Sequence, residues 1–357
     1  MSDFLADIET YLRREIAPQA CTLDRDRLSL HEALQQLGER SLLALKVPQH
    51  LGGRGLSEPD YRRFQTLLAR YSGALTFLQT QHQSAAMRLA TSHNQGLQQQ
   101  YLPHMAKGKV LIGVGYSHLR RFGKPMVTGT ETAAGYLLNG KVPWITGYGY
   151  FDLFILGVTL TDGRELYGII PFNNLQQKTG GTLKFGQPMP LIAAAATNTV
   201  SAELDNWLLE RDRLVALNLP GAIHISSRKN ILNHGFYALG CAYASLDLLE
   251  RIGKQKQLDF IGETWETLTA EVVRSDRLLF AAITDNSTYS QKLQLRTQSI
   301  ELAARCSHAA VVAAGGAANY LDSDVGRVYR EALLFSISGQ TKDVMEASLK
   351  KLESRKF

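Results

Sequence analysis

The 357-residue chain has little of what marks several large protein classes. Its three cysteines, Cys21, Cys241 and Cys306, are odd in number and far apart. They form no CxxC and no zinc-ligand spacing, which argues against a disulfide scaffold and a zinc module and suits a reducing compartment. No apolar run approaches the ~18 residues needed to span a bilayer. The opening segment, MSDFLADIETYLRREIAP, is acidic and amphipathic rather than basic and then apolar, so it reads as mature protein and not as a leader. Charge runs, internal repeats and low-complexity tracts are missing. The 39 Lys+Arg and 33 Asp+Glu leave a net +6 spread along the chain, a balance that suits an anionic small ligand without calling for nucleic acid. With 45 % hydrophobic and 20 % charged residues the composition is that of a globular protein, not a disordered one. The expectation is a soluble cytoplasmic chain of two or three domains.

Proline is absent from one whole region. All ten prolines lie at or before Pro220, and the last 137 residues have none. Proline breaks or kinks helix interiors, so a stretch without it can hold long helices. Leu232, Phe236, Leu239, Tyr243, Leu246 and Leu249 recur at helical spacing. A second helix is expected through Ile300, Ala303, Ala304 and Ser307 to Gly315-Gly316, and a third from the N-cap residue Thr341 through Val344, Met345, Leu349 and Leu352. The first hundred residues also read as helices. One carries Phe4, Ile8, Leu12 and Ile16, opened by Ser2 or Asp3 and closed before Pro18; others fall around 29–44, 58–70 and 75–103.

Between them, from about 110 to 215, lie β-type runs at 136–142, 151–160, 165–172 and 182–186. Val200, Ala202 and Leu204 alternate with polar neighbours, as in a half-buried strand. Asn139-Gly140 carries a hairpin-turn signal. The fold class is α+β: an N-terminal α-helical domain (1–109), a middle β-domain (110–216) and a C-terminal helical bundle (217–357).

Familiar catalytic motifs fail. There is no GxSxG, HExxH or GxxxxGK[ST], and Gly113-x-Gly115 and Gly147-x-Gly149 lack the third glycine and βαβ setting of a dinucleotide fold. His82, His93 and His104 are eleven apart, a spacing that repeats along a helix face, although core or surface histidines explain it as well. The segment GKVPWITGYGYFD (140–152) stands out: Trp144 is suited to stack on a flat heterocycle and Thr146 to hydrogen-bond a ring nitrogen. A core tryptophan accounts for the same residue.

Four segments carry a resemblance over nearly the whole length: LLALKVPQHLGGRGLS (42–57), QQQYLPHMAKGKVLIGVGYS (98–117), LNGKVPWITGYGYFDLFILGV (138–158) and VGRVYREA (325–332). In order and spacing they resemble the acyl-CoA dehydrogenase superfamily. The resemblance implies an N-terminal α-domain, a central β-domain and a C-terminal four-helix bundle. It further implies FAD, in preference to FMN, between the β-domain and the bundle and reaching into a neighbouring subunit. Trp144, Ile145 and Thr146 match the motif against the isoalloxazine ring, and Tyr116 and Ser117 the loop before it. Gly315 and Gly316 match a break near the adenylate end; Thr341 and Asp343 match a helix start near the cofactor. The implied partners are an acyl-CoA or other small substrate and an electron acceptor, in a homodimer or homotetramer.

The departures concern the chemistry. The family's catalytic glutamate falls on Gly339 in Ser338-Gly339-Gln340-Thr341, and the alternative base position on Asn230. Neither can take a proton. The flavin-loop acid is lost in SHLRRFGKP (117–125), Lys256 stands for a phosphate-binding arginine, and Val312 for a glutamine. Glu331 replaces an aspartate, as a structural residue. Arg120 and Arg121 suit phosphates or solvent equally. His234, one turn after Asn230, is the candidate replacement base, with helix packing as its other explanation. Three functions compete: an oxidoreductase acting on the Cα–Cβ bond of an acyl thioester, a flavin-dependent monooxygenase or oxidase with His82 at its site, and a non-catalytic flavin or acyl binder.

Overall fold

The computed structural model describes residues 3–353. Helices come first: α1 (Asp3–Tyr11), α2 (Ala20–Arg25), α3 (Arg27–Glu39), α4 (Glu58–Tyr71), α5 (Gly73–Ala90) and α6 (Gln95–Met105). Ile8, Leu12 and Ile16 are buried as their spacing predicts, and a π-helical turn over Leu12–Ile16 leads toward α2. Ser2, one of the two expected openers, lies outside the described residues. Short polar side chains start the helices: Asp26 accepts from the Ser29 N–H, and Ser57 from the Asp60 N–H.

The stretch 75–103 is two helices rather than one. The chain turns after Ala90, and the Asn94 side chain accepts from the Leu97 N–H (3.1 Å) to open α6. His82, His93 and His104 therefore share no helix face. His82 lies on α5, His93 in the turn and His104 on α6.

A mixed sheet follows: β1 (Ile112–Gly115), β2 (Val127–Glu131), β3 (Gly135–Ile145), β4 (Leu153–Leu160), β5 (Glu165–Pro171), β6 (Leu175–Gln176), β7 (Thr182–Phe185), β8 (Val200–Glu210) and β9 (Leu214–Asn218). The order is β6-β7-β8-β3-β2-β4-β5-β9, with β1 parallel to β4. Asn139-Gly140 is no hairpin turn. It lies inside β3, where the register against β8 shifts between Leu138 and Gly140. Gly140 has φ +129°, and a Cβ there would sit 2.2 Å from the Met126 carbonyl oxygen. Glycine admits a bulge and a close backbone approach here, which the dipeptide alone does not distinguish from a turn.

The Pro-free region folds into α7 (Ala222–Lys229), α8 (Gly235–Lys256), α9 (Asp259–Thr284), α10 (Tyr289–Ala314), α11 (Asp324–Ile337) and α12 (Lys342–Glu353). The long helices α8 to α11 form the bundle around Phe236, Leu239, Val272, Leu279, Leu302 and Phe335. A polar joint ties it to the first domain. Buried Glu331 on α11 accepts from Arg327 (2.9 Å) and from the Gly73 N–H at the start of α5 (3.0 Å). A Cβ at Gly73 would lie 2.6 Å from the Glu331 carboxyl carbon, so this approach requires glycine. The α+β architecture expected from the sequence is the one observed.

Candidate functional site

Where the three regions meet lies a cavity of about 740 Å³. The N-terminal helices α4 and α5 give one wall, the ends of β1 and β3 a second, and the α7–α8 turn, α10 and the end of α11 a third. Trp144 lies between Val142 and Ile145, where β3 loses register with β8. Pro143 has no N–H to offer a ladder at this point. Trp144 is 46 % exposed and lines the cavity, whereas Ile145 is buried behind it. The Thr146 and Thr199 hydroxyls lie 2.9 Å apart on the same wall.

Tyr116 and Ser117 enter from the turn after β1. Tyr116 packs edge-on to Tyr167, and the Arg88 guanidinium covers both rings, 4.9 and 3.7 Å from their centroids. A 3₁₀ turn, Ser117–Arg120, brings Arg120 to the Ser227 hydroxyl (3.2 Å).

Of the residues singled out by sequence, Tyr116, Ser117, Trp144, Thr146 and His234 share this cavity. Asn230 and Gly339, the two positions without a base, line it as well. Gly315 and Gly316 do not; they end α10, and added Cβ atoms would meet nothing within 4 Å. Thr341 caps α12 by accepting from the Val344 N–H (3.3 Å). Asp343 accepts from the Tyr289 hydroxyl (2.7 Å) and pairs with Arg228 (3.4 Å). Lys256 donates to the Ala313 carbonyl (2.6 Å) at the end of α10. His82 does not line the cavity. Its Nδ1 accepts from the Ile112 N–H (3.0 Å) and its Nε2 faces the Met105 carbonyl (3.1 Å), so its place is structural.

The arrangement around Gly339 is unusual. The residue has φ +58°, and a Cβ built on it would fall 2.2 Å from His234 Nε2. The imidazole thus fills the volume that a side chain at 339 would take. It packs edge-on to Tyr237 at 5.3 Å, and its Nδ1 is buried without a partner. Burial, then Arg296, Arg120 and Arg62, holds its pKa well below the ordinary histidine value, so the ring is neutral.

Arg296 is the residue that sequence reading missed. It sits inside α10, 2 % exposed, and donates to the carbonyls of Ile231 (3.3 Å), Ser338 (2.9 Å) and Gly339 (3.0 Å). Its Nε has no partner, and burial followed by repulsion from Arg120 pushes its pKa down to about 10. A lone arginine in a helix gives no signal until another element folds against it. Lys46, Arg62, Arg88, Arg120 and Arg296 all line the cavity, and no Asp or Glu does. Among the described residues no cluster suited to a metal ion occurs, and no helix is long and apolar enough to cross a membrane.

Comparison with known proteins gives concordant findings. Residues 2–109 match the family model for the acyl-CoA dehydrogenase N-terminal domain. The chain is 23 % identical over 255 residues to an acyl-CoA dehydrogenase of Bacillus subtilis (strain 168), covering 70 % of this chain and 67 % of that one. It is 22 % identical over 356 residues to the mitochondrial short-chain specific acyl-CoA dehydrogenase of Mus musculus, covering 94 % and 85 %. In fold it is similar to a glutaryl-CoA dehydrogenase from Mycobacterium smegmatis in complex with FADH2, with TM-score 0.82, 16 % identity and coverage of 99 % and 96 %.

Proposed function

We propose that this chain, a member of the acyl-CoA dehydrogenase superfamily, is a flavin-dependent oxidoreductase acting on the Cα–Cβ bond of an acyl thioester, with His234 in place of the usual glutamate. The observation that carries the reading is the imidazole standing in the side-chain space of Gly339, in a cavity that Trp144 also lines.

The donor set fits FAD. A half-exposed indole and the hydroxyls of Ser117 and Thr146 suit a flat heterocycle with ring nitrogens. Tyr116, Ser117, Trp144 and Thr146 would hold its ring system. Gly315, Gly316, Thr341 and Asp343 lie off this cavity. FAD supplies a hydride acceptor for Cβ when bound.

The chain's own part is to orient the thioester and to take the Cα proton at His234 Nε2, the ring edge that faces Gly339. The neutral ring is the form that can accept a proton. Arg296, Arg120 and Arg62 oppose the resulting imidazolium. An external electron acceptor, a homo-oligomer sharing its flavin sites and a cytoplasmic setting complete the proposal.

The test is anaerobic addition of acyl-CoAs to FAD-reconstituted protein, following the flavin absorbance. Bleaching is expected. His234→Gln should retain flavin and lose roughly 10²–10⁴-fold in the bleaching rate, the span typical of a lost general base. A variant that bleaches as fast as the parent would remove His234 from the chemistry, and a protein that takes up no FAD would defeat the whole reading.

A further inference from the structure

We infer that the inner end of the cavity recognises a carboxylate on the acyl group, so that the substrates are carboxylate-bearing acyl thioesters rather than plain fatty ones. This rests on the thioester reading above and narrows it to a substrate class.

The first observation is charge without counter-charge. Five cations line the cavity and no carboxylate does. Glu58, behind the wall, serves Lys46 and Arg62 together. Arg120 and Arg296 have no carboxylate partner among the described residues, and Arg296 is almost wholly buried. A buried guanidinium held only by backbone carbonyls keeps an unanswered charge, which is costly until an anion meets it. The Nε of Arg296 is the unpartnered donor.

The second observation is the chemistry of the wall between α4 and α5. It presents Arg62, Gln65, Thr80, Gln83 and Ser84 to the cavity. Gln65 donates to the Tyr237 hydroxyl (2.7 Å), which lies edge-on to His234, so this polar wall continues to the proposed proton acceptor. Arg62, Gln65, Thr80 and Ser84 already bond within the protein, whereas the Gln83 Nε2 is buried without a partner, a second donor that an aliphatic chain would leave unanswered. A carboxylate between Arg296 and its neighbours would receive charge-assisted bonds instead. It would also offset the positive field that opposes protonation of His234, so an anionic substrate would favour its own deprotonation.

The experiment uses FAD-reconstituted protein and calorimetric titration. Succinyl-, glutaryl- and adipyl-CoA are each compared with the straight-chain acyl-CoA of equal carbon number, and the free diacids with the free monoacids. At least one carboxylated thioester should bind 10-fold or more tighter than its apolar counterpart. Arg120→Gln, a partly exposed site bonded only to Ser227, should narrow that ratio several-fold, and Arg296→Lys should do so more strongly. Equal binding across every pair would overturn the inference and leave the thioester reading standing. If no thioester binds while a free diacid does, the anion site survives and the thioester reading falls. No binding by any probe would end both.

Discussion

Gly339→Ala offers a direct measure of how His234 fills the site. Two costs arise. At φ +58° an alanine pays the left-handed penalty of about 1–2 kcal/mol. Its methyl would also fall 2.2 Å from His234 Nε2 and 2.5 Å from the ring's Cδ2, so the imidazole must move inside a packed interior. Overpacking of this kind costs about 1–3 kcal/mol. The expected loss is therefore roughly 2–5 kcal/mol in urea denaturation followed by far-UV circular dichroism. The same substitution in a His234→Ala background meets no ring, and only the backbone term of about 1–2 kcal/mol remains. The four proteins form a double-mutant cycle with an interaction energy of about 1–3 kcal/mol favouring the double variant. If Gly339→Ala costs the same in both backgrounds, the imidazole does not occupy that space, and the argument for His234 as the replacement base goes with it.

Two further outcomes are expected. Burial holds His82 and His118 near a pKa of about 4, against an ordinary 6.5. Each therefore contributes stability that is complete above about pH 6.5 and is lost as pH falls toward 4, at about 1.4 kcal/mol per unit. Urea midpoints measured from pH 8 to 4 should show that decline, and His118→Asn should flatten it; an unaltered slope would mean that His118 protonates freely in the fold. Trp144→Ala with Thr146→Ala should lower bound flavin per chain, read from the ratio of flavin to protein absorbance after reconstitution. Undiminished occupancy would place the ring system elsewhere.

The fold was largely legible because its determinants are local. Apolar spacing and the proline boundary mark the helices, and alternation marks β8. Where two structures share one local signal the sequence misleads. Asn139-Gly140 reads as a turn because glycine's freedom serves a bulge equally well. The continuous pattern over 75–103 hides a turn made by Thr91–Asn94. Part of the cavity lining was legible where one segment supplies it, as with Trp144 and Thr146 or Tyr116-Ser117. Arg296, Arg62 and Gln65 gave no warning, since their meaning depends on which helix packs opposite. The relation between His234 and Gly339 spans 105 positions and exists only as geometry.

The joint through Glu331, Arg327 and Gly73 reaches beyond the two residues it fastens. The helices it joins supply two of the walls of one cavity, so the cavity is a property of the docked whole and of no single region. A fragment ending near residue 109 would carry Arg62 and Gln65 correctly spaced on α4, yet would have nothing for them to face. Loosening the joint by adding bulk at residue 73 would act on ligand affinity from outside the cavity, by changing how often the walls stand together.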